Sequence, residues 1–370
     1  MFKFLSLESE TFGLDINESS LKIVKLRKKR GFLQPVSFNE KEIPQRIIEN
    51  GIIKDEGAFV KNIKVALASI KGEKLRTKYV VASLPEEKSF SQVIQMPKME
   101  MEELKSAVPF EAENYIPLPA DQMYLDFKKI NPIAGNLDHL DVFITAAEKD
   151  IVDSYMSAFK KAGLIPVALE VETEAIARAL IKDETSLAPV AIIDFGGDSA
   201  GFIVFSGHSI RFTSSISVSS RQITSTISEE LGIRSREAEH MKIKYGLSFG
   251  KESYRTKAVS KAIKPILENL AKEIQKYLDF YSDHNFHEHL PKKSSRKNKI
   301  EKIILSGGGS SLKGIDTFLK NKLNMPVEFG NAWINFPKDF KNPALSELKR
   351  KSLSFTTALG LALRSADSET

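Results

Sequence analysis

FGLDINESSLKIVKL, Phe12 to Leu26, sets one carboxylate at the end of an alternating apolar run, then Asn17, Glu18, Ser19 and Ser20, then a second alternating run from Leu21. The pattern predicts two strands joined by a short polar loop. A plain hairpin uses such residues for backbone freedom, whereas a phosphate loop uses them to turn backbone N–H groups and hydroxyls toward an anion. Recurrence favours the second reading. LAPVAIIDFGGDSAGFIVF, Leu187 to Phe205, repeats the order of strand, terminal acid, small-residue loop and strand.

Bulk composition narrows the class. At 370 residues the chain is long for one core and suggests two domains, with the apolar and charged fractions of a globular protein. The absence of cysteine removes disulfides, thiol nucleophiles and thiolate-bound zinc. No apolar run approaches the roughly 20 residues of a membrane span, and the start MFKFLSLESE has no small-residue cleavage site, so a cytoplasmic protein is expected. The net charge of +6 sits largely in short runs, Arg27 to Arg30 and Pro291 to Lys299. These read as solvated loops, with anionic lipid the lesser reading and no nucleic acid expected.

Between the two openings, Leu33 to Asn39 reads as a strand, Asp55 to Ile70 as a helix, and Lys78 to Leu84 as a buried strand stopped by Pro85. From Ser89 the texture changes to strand, helix, proline corner, strand, strand and helix, a small α+β unit inserted at about 89–164. Pro109 should kink or restart its helix. VALEVETEAIARAL then returns to the first domain as a strand and an apolar-faced helix. The expected architecture is α/β, with domain I over 1–186, including the inserted unit, and domain II over 187–370. The two similar openings imply duplication.

Toward the C-terminus, ILSGGGSSLKGI, Ile304 to Ile315, runs a strand into three glycines and a helix. Backbone without Cβ atoms admits a flat ligand, and a following helix N-terminus favours an anion. Two acid-headed loops plus this triple-glycine loop form a far more specific signal than any one of them. Together with MPKMEMEELKSAVPFEAENYIPLPADQMYLDF, LEVETEAIARAL and FTTALGLALR, these motifs resemble the actin-like ATPase superfamily with its two-domain, ribonuclease H-like fold. Within it they resemble the PilM family of type IV pilus assembly proteins, related to FtsA. The corner Glu111 to Pro117 carries the closer likeness.

The resemblance implies ATP and Mg²⁺. Asp15, Asn17, Ser19 and Ser20 resemble the first phosphate loop, with Lys22 behind it. Asp194, Gly196, Gly197 and Ser199 resemble the second, and Gly307, Gly308 and Gly309 the adenosine loop. Glu239 and Lys242 resemble a ribose-contacting pair, although Glu and Lys three apart on a helix also form ordinary surface pairs. Asp15 and Asp194 would hold the waters of the metal, and Glu174 on the crossing helix is a candidate for positioning water. Asn17 stands where the family usually has Gly, a change a left-handed backbone tolerates. Ala200 replaces a frequent hydroxyl residue and Asp198 adds negative charge, so at most a slow ATPase is expected. As implied partners, the N-terminal peptide of a PilN-like inner-membrane protein would bind beside the inserted unit near Tyr115 and Ile116, and other pilus assembly proteins would hold the chain peripherally at the inner membrane. An FtsA-like division protein is disfavoured by the short polar ending LGLALRSADSET. A sugar-kinase-type phosphotransferase lacks a visible catalytic Asp and sugar cluster. A metal site in DHNFHEHL, using His284, His287, Glu288 and His289, lacks firm spacing, and Trp333 reads as a partly buried aromatic.

Overall fold

Residues Thr11–Ile16, Ser20–Lys29 and Phe32–Glu42 form an antiparallel meander, and Tyr79–Leu84 and Ile165–Val171 add in parallel on the far side of the first strand. Ser186–Phe195, Ala200–Gly207 and Ser209–Ile216 repeat the meander, and Lys302–Ser306 and Val327–Phe329 repeat the parallel additions. The two sheets share one strand order, apart from a short extra strand, Lys71–Gly72, at the edge of the first. Duplication is therefore built into the topology. The computed structural model describes residues 10–29, 32–116, 118–133, 137–247, 253–284, 299–337 and 345–367.

Alternation along the first strand of each sheet sorts its side chains by face. Phe12, Leu14 and Ile16 enter a core with Phe59 and Ile63 of helix Glu56–Ala68 and Tyr155 and Phe159 of helix Lys149–Ala162. Ala191, Ile193 and Phe195 enter another, covered by helices Ser220–Leu231, Ser235–Tyr245, Tyr254–Asp283 and Ile315–Leu323. The opposite faces share a third core, in which Val24 and Phe38 of one sheet and Val190, Ile192 and Ile203 of the other close on helices Glu172–Leu180 and Thr356–Asp367. Asp15 and Asp194 stand one residue out of phase with the outer-core residues, so both point to the space between the sheets.

The two central helices meet without room for a side chain. A Cβ at Gly360 would lie 1.8 Å from the Ala175 carbonyl oxygen, and one at Gly13 would lie 2.5 Å from that of Ala358. The last helix thus seats on the first strand as well as on its partner helix.

The inserted unit is a three-stranded antiparallel sheet, in spatial order Ser89–Pro97, His139–Glu148 and Met123–Ile130, backed by helix Met101–Ala112. That helix is continuous through Pro109. The proline falls in its last turn, where it costs the bond to the Lys105 carbonyl and the helix ends three residues later. Helix Lys149–Ala162 shares the core of the first sheet. The inserted unit also reaches domain II, where Arg211 Nη1 lies 3.2 Å from Asp141 Oδ2, both side chains buried. Trp333 packs edge-on against Phe336 at 5.4 Å, half-buried in the shared core.

Substituting Gly360 by Ala should separate the central helices and cost roughly 1–3 kcal/mol, as overpacking does elsewhere. Urea unfolding followed by circular dichroism should show a lower midpoint with little change in slope. An unmoved midpoint would mean that this contact relaxes freely.

Candidate functional site

The first loop is assembled by Asn17. Its Oδ1 accepts from the backbone N–H groups of Ser19 (3.1 Å) and Ser20 (2.9 Å), and both hydroxyls lie within 3.0 and 3.2 Å of the same oxygen. Asn17 does not take a positive φ. Its contribution is the side-chain carbonyl, and the left-handed backbone suggested by its place in the sequence is not used. Behind the loop, Lys22 sits opposite Asp15 in the antiparallel register, its Nζ 3.3 Å from Asp15 Oδ2, with both side chains nearly withdrawn from solvent.

The second loop is a turn closed by Gly196 N–H donating to the Ser199 carbonyl (2.9 Å). It is tied to the following helix by Ser220 and Arg221 N–H groups on the Gly196 and Gly197 carbonyls. Gly307 has φ +82°, and a Cβ there would lie 2.4 Å from the Phe195 carbonyl oxygen, so both conformation and proximity require glycine. Gly309 packs on the Phe195 ring.

These elements enclose a cleft of about 500 Å³ between the sheets, which brings together Asp15, Asn17, Ser19, Ser20, Lys22, Asp194, Gly196, Gly197, Ser199, Gly307 and Gly308. Gly309, Glu239, Lys242 and Glu174 are not among its lining residues. Lys242 is buried and donates to Ser220 Oγ (2.8 Å), the Ser220 carbonyl (3.1 Å) and Thr224 Oγ1 (2.9 Å), while Glu239 accepts from Thr224; the pair joins two helices of domain II. Ala200 faces the outer core of domain II, where a hydroxyl would find apolar neighbours. His284 stacks on Phe280 with ring centroids 4.0 Å apart, and His287, Glu288 and His289 lie outside the described residues, as does most of the basic run at 291–299.

The structure adds residues that sequence reasoning passed over. Glu86 and Glu87 follow Pro85 at the C-terminal end of strand Tyr79–Leu84, and Glu172 opens the crossing helix; all three line the cleft. A signal was available, because ligands of parallel sheets collect at the carboxyl ends of the strands. Contacts cross the cleft at several points. Ser19 Oγ lies 3.2 Å from Asp198 Oδ2, Asp198 is held by Arg221 at 2.6 Å, and Glu86 is bonded by Thr213 of domain II.

Electrostatics set the character of the site. Lys22 is the single lysine among the lining residues, facing many carboxylates. Burial raises Asp15, against the pull of Lys22. Burial, with Asp15 adding repulsion, raises Asp194 to about 6. Burial and then Glu87 raise Glu86 to about 7, and burial with the charges of Asp15, Glu87 and Asp194 holds Glu172 well above the ordinary carboxylate range. Such crowding is relieved by protons or by a cation brought in with a ligand. Asp15 and Asp194 are hard oxygen donors suited to Mg²⁺ through water. Among the described residues no three His, Asp or Glu side chains converge as a metal site on their own.

A second cavity, of about 470 Å³, lies between the inserted unit and the first domain. It runs between two edge strands, Met123–Ile130 and Ile165–Val171, with Tyr124, Phe127, Leu169 and Glu174 on its walls. Glu174 accepts from Thr145 Oγ1 (3.1 Å), and burial with the nearby Glu170 raises it to about 7. Neither Tyr115 nor Ile116 lines this groove. Ile116 packs in the inserted unit's own core and Tyr115 is exposed.

Two duplicated sheets joined through a shared pair of helices, with acid-headed loops closing on one cleft, define a two-domain protein of the actin-like fold. The chain belongs to the family of type IV pilus assembly protein PilM, whose profile matches residues 13–366. It is similar over 97% of its length to a solved structure titled the PilM-PilN type IV pilus biogenesis complex, which is covered to 99%, at 27% identity and a TM-score of 0.78. MreB 5 of Spiroplasma citri, solved bound to AMPPNP, shares the fold at a TM-score of 0.56 and 13% identity, over 97% of this chain and 96% of that one. The cell division protein FtsA of Helicobacter pylori strain J99 is 26% identical over 251 residues, 60% of this chain; the alignment spans about half (49%) of that relative's length. Among the described residues no helix is long and apolar enough to cross a membrane.

The raised carboxyl of Glu86 gives a pH dependence of definite sign. With its folded pKa above the unfolded value, its contribution to stability is present below about pH 4.5 and is lost as pH rises through about 7. Glu86→Gln should leave the melt of the ligand-free protein nearly unchanged at pH 5 and raise it at pH 8. Equal shifts at both values would show that Glu86 does not titrate in this range.

Proposed function

We propose that this chain is a nucleotide-dependent recruiting component of a type IV pilus machine. It would bind ATP with Mg²⁺ between its domains and the N-terminal peptide of a PilN-like inner-membrane protein beside the inserted unit. The observation that carries the nucleotide half is the convergence of both acid-headed loops and the Gly307-Gly308 turn on one cleft. In this reading the N–H groups and hydroxyls of Ser19 and Ser20, with Lys22, face the phosphates from domain I, and Gly196, Gly197 and Ser199 face them from domain II. The base and ribose lie toward Gly307 and Gly308. Asp15 and Asp194 hold the hydrated Mg²⁺, which neutralises charge on the phosphates. Glu172, whose carboxyl faces the cleft, is better placed than Glu174 to orient water. Hydrolysis is slow, since the cleft offers one lysine against its carboxylates.

The groove supports the peptide half. A chain laid between Met123–Ile130 and Ile165–Val171 finds two strand edges for main-chain pairing and apolar walls for alternate side chains. The protein then sits at the cytoplasmic face of the inner membrane through this partner and other pilus assembly proteins.

Thermal melts with ATP and Mg²⁺ should rise by several degrees, as a ligand specific to the folded state requires; saturation at about 100 times Kd is worth roughly 2.7 kcal/mol. Asp194→Ala should abolish most of that rise and Glu174→Ala little of it. No shift for the unsubstituted protein at millimolar nucleotide would overturn the nucleotide reading. Separately, Phe127→Asp should stop co-purification with the PilN-like peptide while leaving the ATP-induced shift intact. A complex that survives Phe127→Asp would place recognition elsewhere.

A further inference from the structure

The donors of the first loop already have an acceptor. Four groups, the N–H and hydroxyl of Ser19 and the N–H and hydroxyl of Ser20, converge within 3.2 Å on the single oxygen Asn17 Oδ1. An amide oxygen has two lone pairs, so this crowding exceeds what a neutral acceptor needs and suits an oxygen of an anion. From the opposite side, Asp198 Oδ2 comes within 3.2 Å of Ser19 Oγ, its carboxylate steadied by Arg221 Nη1 at 2.6 Å. Ser19 has one hydroxyl hydrogen to share between these two acceptors. The seat that the proposed function gives to a phosphate is thus filled by two acceptors of the chain itself.

The loop does not need the Asn17 side chain for its path. Asn17 N–H donates to the Ser20 carbonyl (3.1 Å), and the Ser19 carbonyl accepts from Ile43 N–H (2.9 Å), which ties the loop to the segment just past strand Phe32–Glu42. Gly197 opposes Ser19 so closely that a Cβ there would meet Ser19 Oγ at 3.3 Å. Asn17 Oδ1 can leave its donors by a side-chain rotation while the backbone frame stays in place.

We infer that the Asn17 amide is an internal stand-in for phosphate, which keeps the ligand-free loop satisfied and must be displaced before a nucleotide binds. This rests on the ATP reading given above. Apparent affinity falls in proportion to the fraction of molecules whose seat is open. Removing the amide releases all four donors from Asn17 and leaves only the Asp198 contact at Ser19, so if the amide is swung away in one molecule in ten of the unsubstituted protein, affinity for ATP rises by about tenfold. Asn17→Asp keeps an acceptor in the seat and adds a negative charge, and it should weaken binding.

The test is calorimetric titration of ATP with Mg²⁺ into the full chain and its Asn17→Ala, Asn17→Gly and Asn17→Asp variants, with melts of each ligand-free protein. The expected result is tighter binding by about tenfold in both truncations and weaker binding in Asn17→Asp. The ligand-free truncations should also melt a few degrees lower, because the loop donors lose their acceptor. Glycine serves where the alanine variant does not fold. Truncations that bind ATP no more tightly than the unsubstituted protein would overturn the inference and leave the nucleotide reading standing. Absence of ATP binding in all four proteins would overturn both.

Discussion

The architecture turns on the contact between helices Glu172–Leu180 and Thr356–Asp367, where Gly360 lets one backbone lie against the Ala175 carbonyl. Each sheet has an outer face covered by its own helices and an inner face that must be covered by something else. One helix pair serves both inner faces, and its thickness sets the distance between the sheets. Interiors packed at crystal-like density transmit such spacing with little slack. The width of the cleft above the pair is therefore a property of the helix contact, and the loops at its rim inherit it.

The chemistry follows from the same geometry through a phase argument. An alternating strand that buries every second residue outward must direct the others inward, and at the strand ends those others are Asp15 and Asp194. Placing them in a buried cleft beside Glu86 and Glu172 raises all four carboxyls. Such crowding of carboxyls favours a ligand that brings a divalent cation with it. Across the rim, Ser19 meets Asp198 and Glu86 meets Thr213, beside the shared core that joins the two sheets.

Much of this was legible in the sequence because it is local. The two strand-loop-strand openings, the triple-glycine turn, the crossing helix and the inserted unit all announce themselves in short windows, and the duplicated strand order follows from the repeated opening. What was hidden depends on direction or distance. Glu172 and Glu174 are two residues apart on a helix, about 200° around its axis. They face different cavities, and no window of sequence says which face meets the cleft. Lys242 has the spacing of a ligand-contacting residue, yet Ser220 and Thr224, some twenty positions earlier, already take its donors. Glu86 owes its environment to Thr213 and Asp194, more than a hundred residues away. Pairings at that range are set by tertiary packing, which local patterns do not encode.

The seating of helix Thr356–Asp367 on the first strand has a consequence for synthesis. Gly13 and Ala358, in contact in the folded chain, are separated by 345 positions (358 − 13). At roughly 5–20 residues per second, the ribosome needs about 20 to 70 seconds to deliver the second after the first. Throughout that interval the inner face of the first sheet lacks one helix of the pair that covers it, and an apolar sheet face left partly open is a site for mistaken association. The nascent chain thus depends on whatever shields it in transit, and a message cut short before codon 356 would yield a product whose first sheet never gains the helix that seats on its first strand.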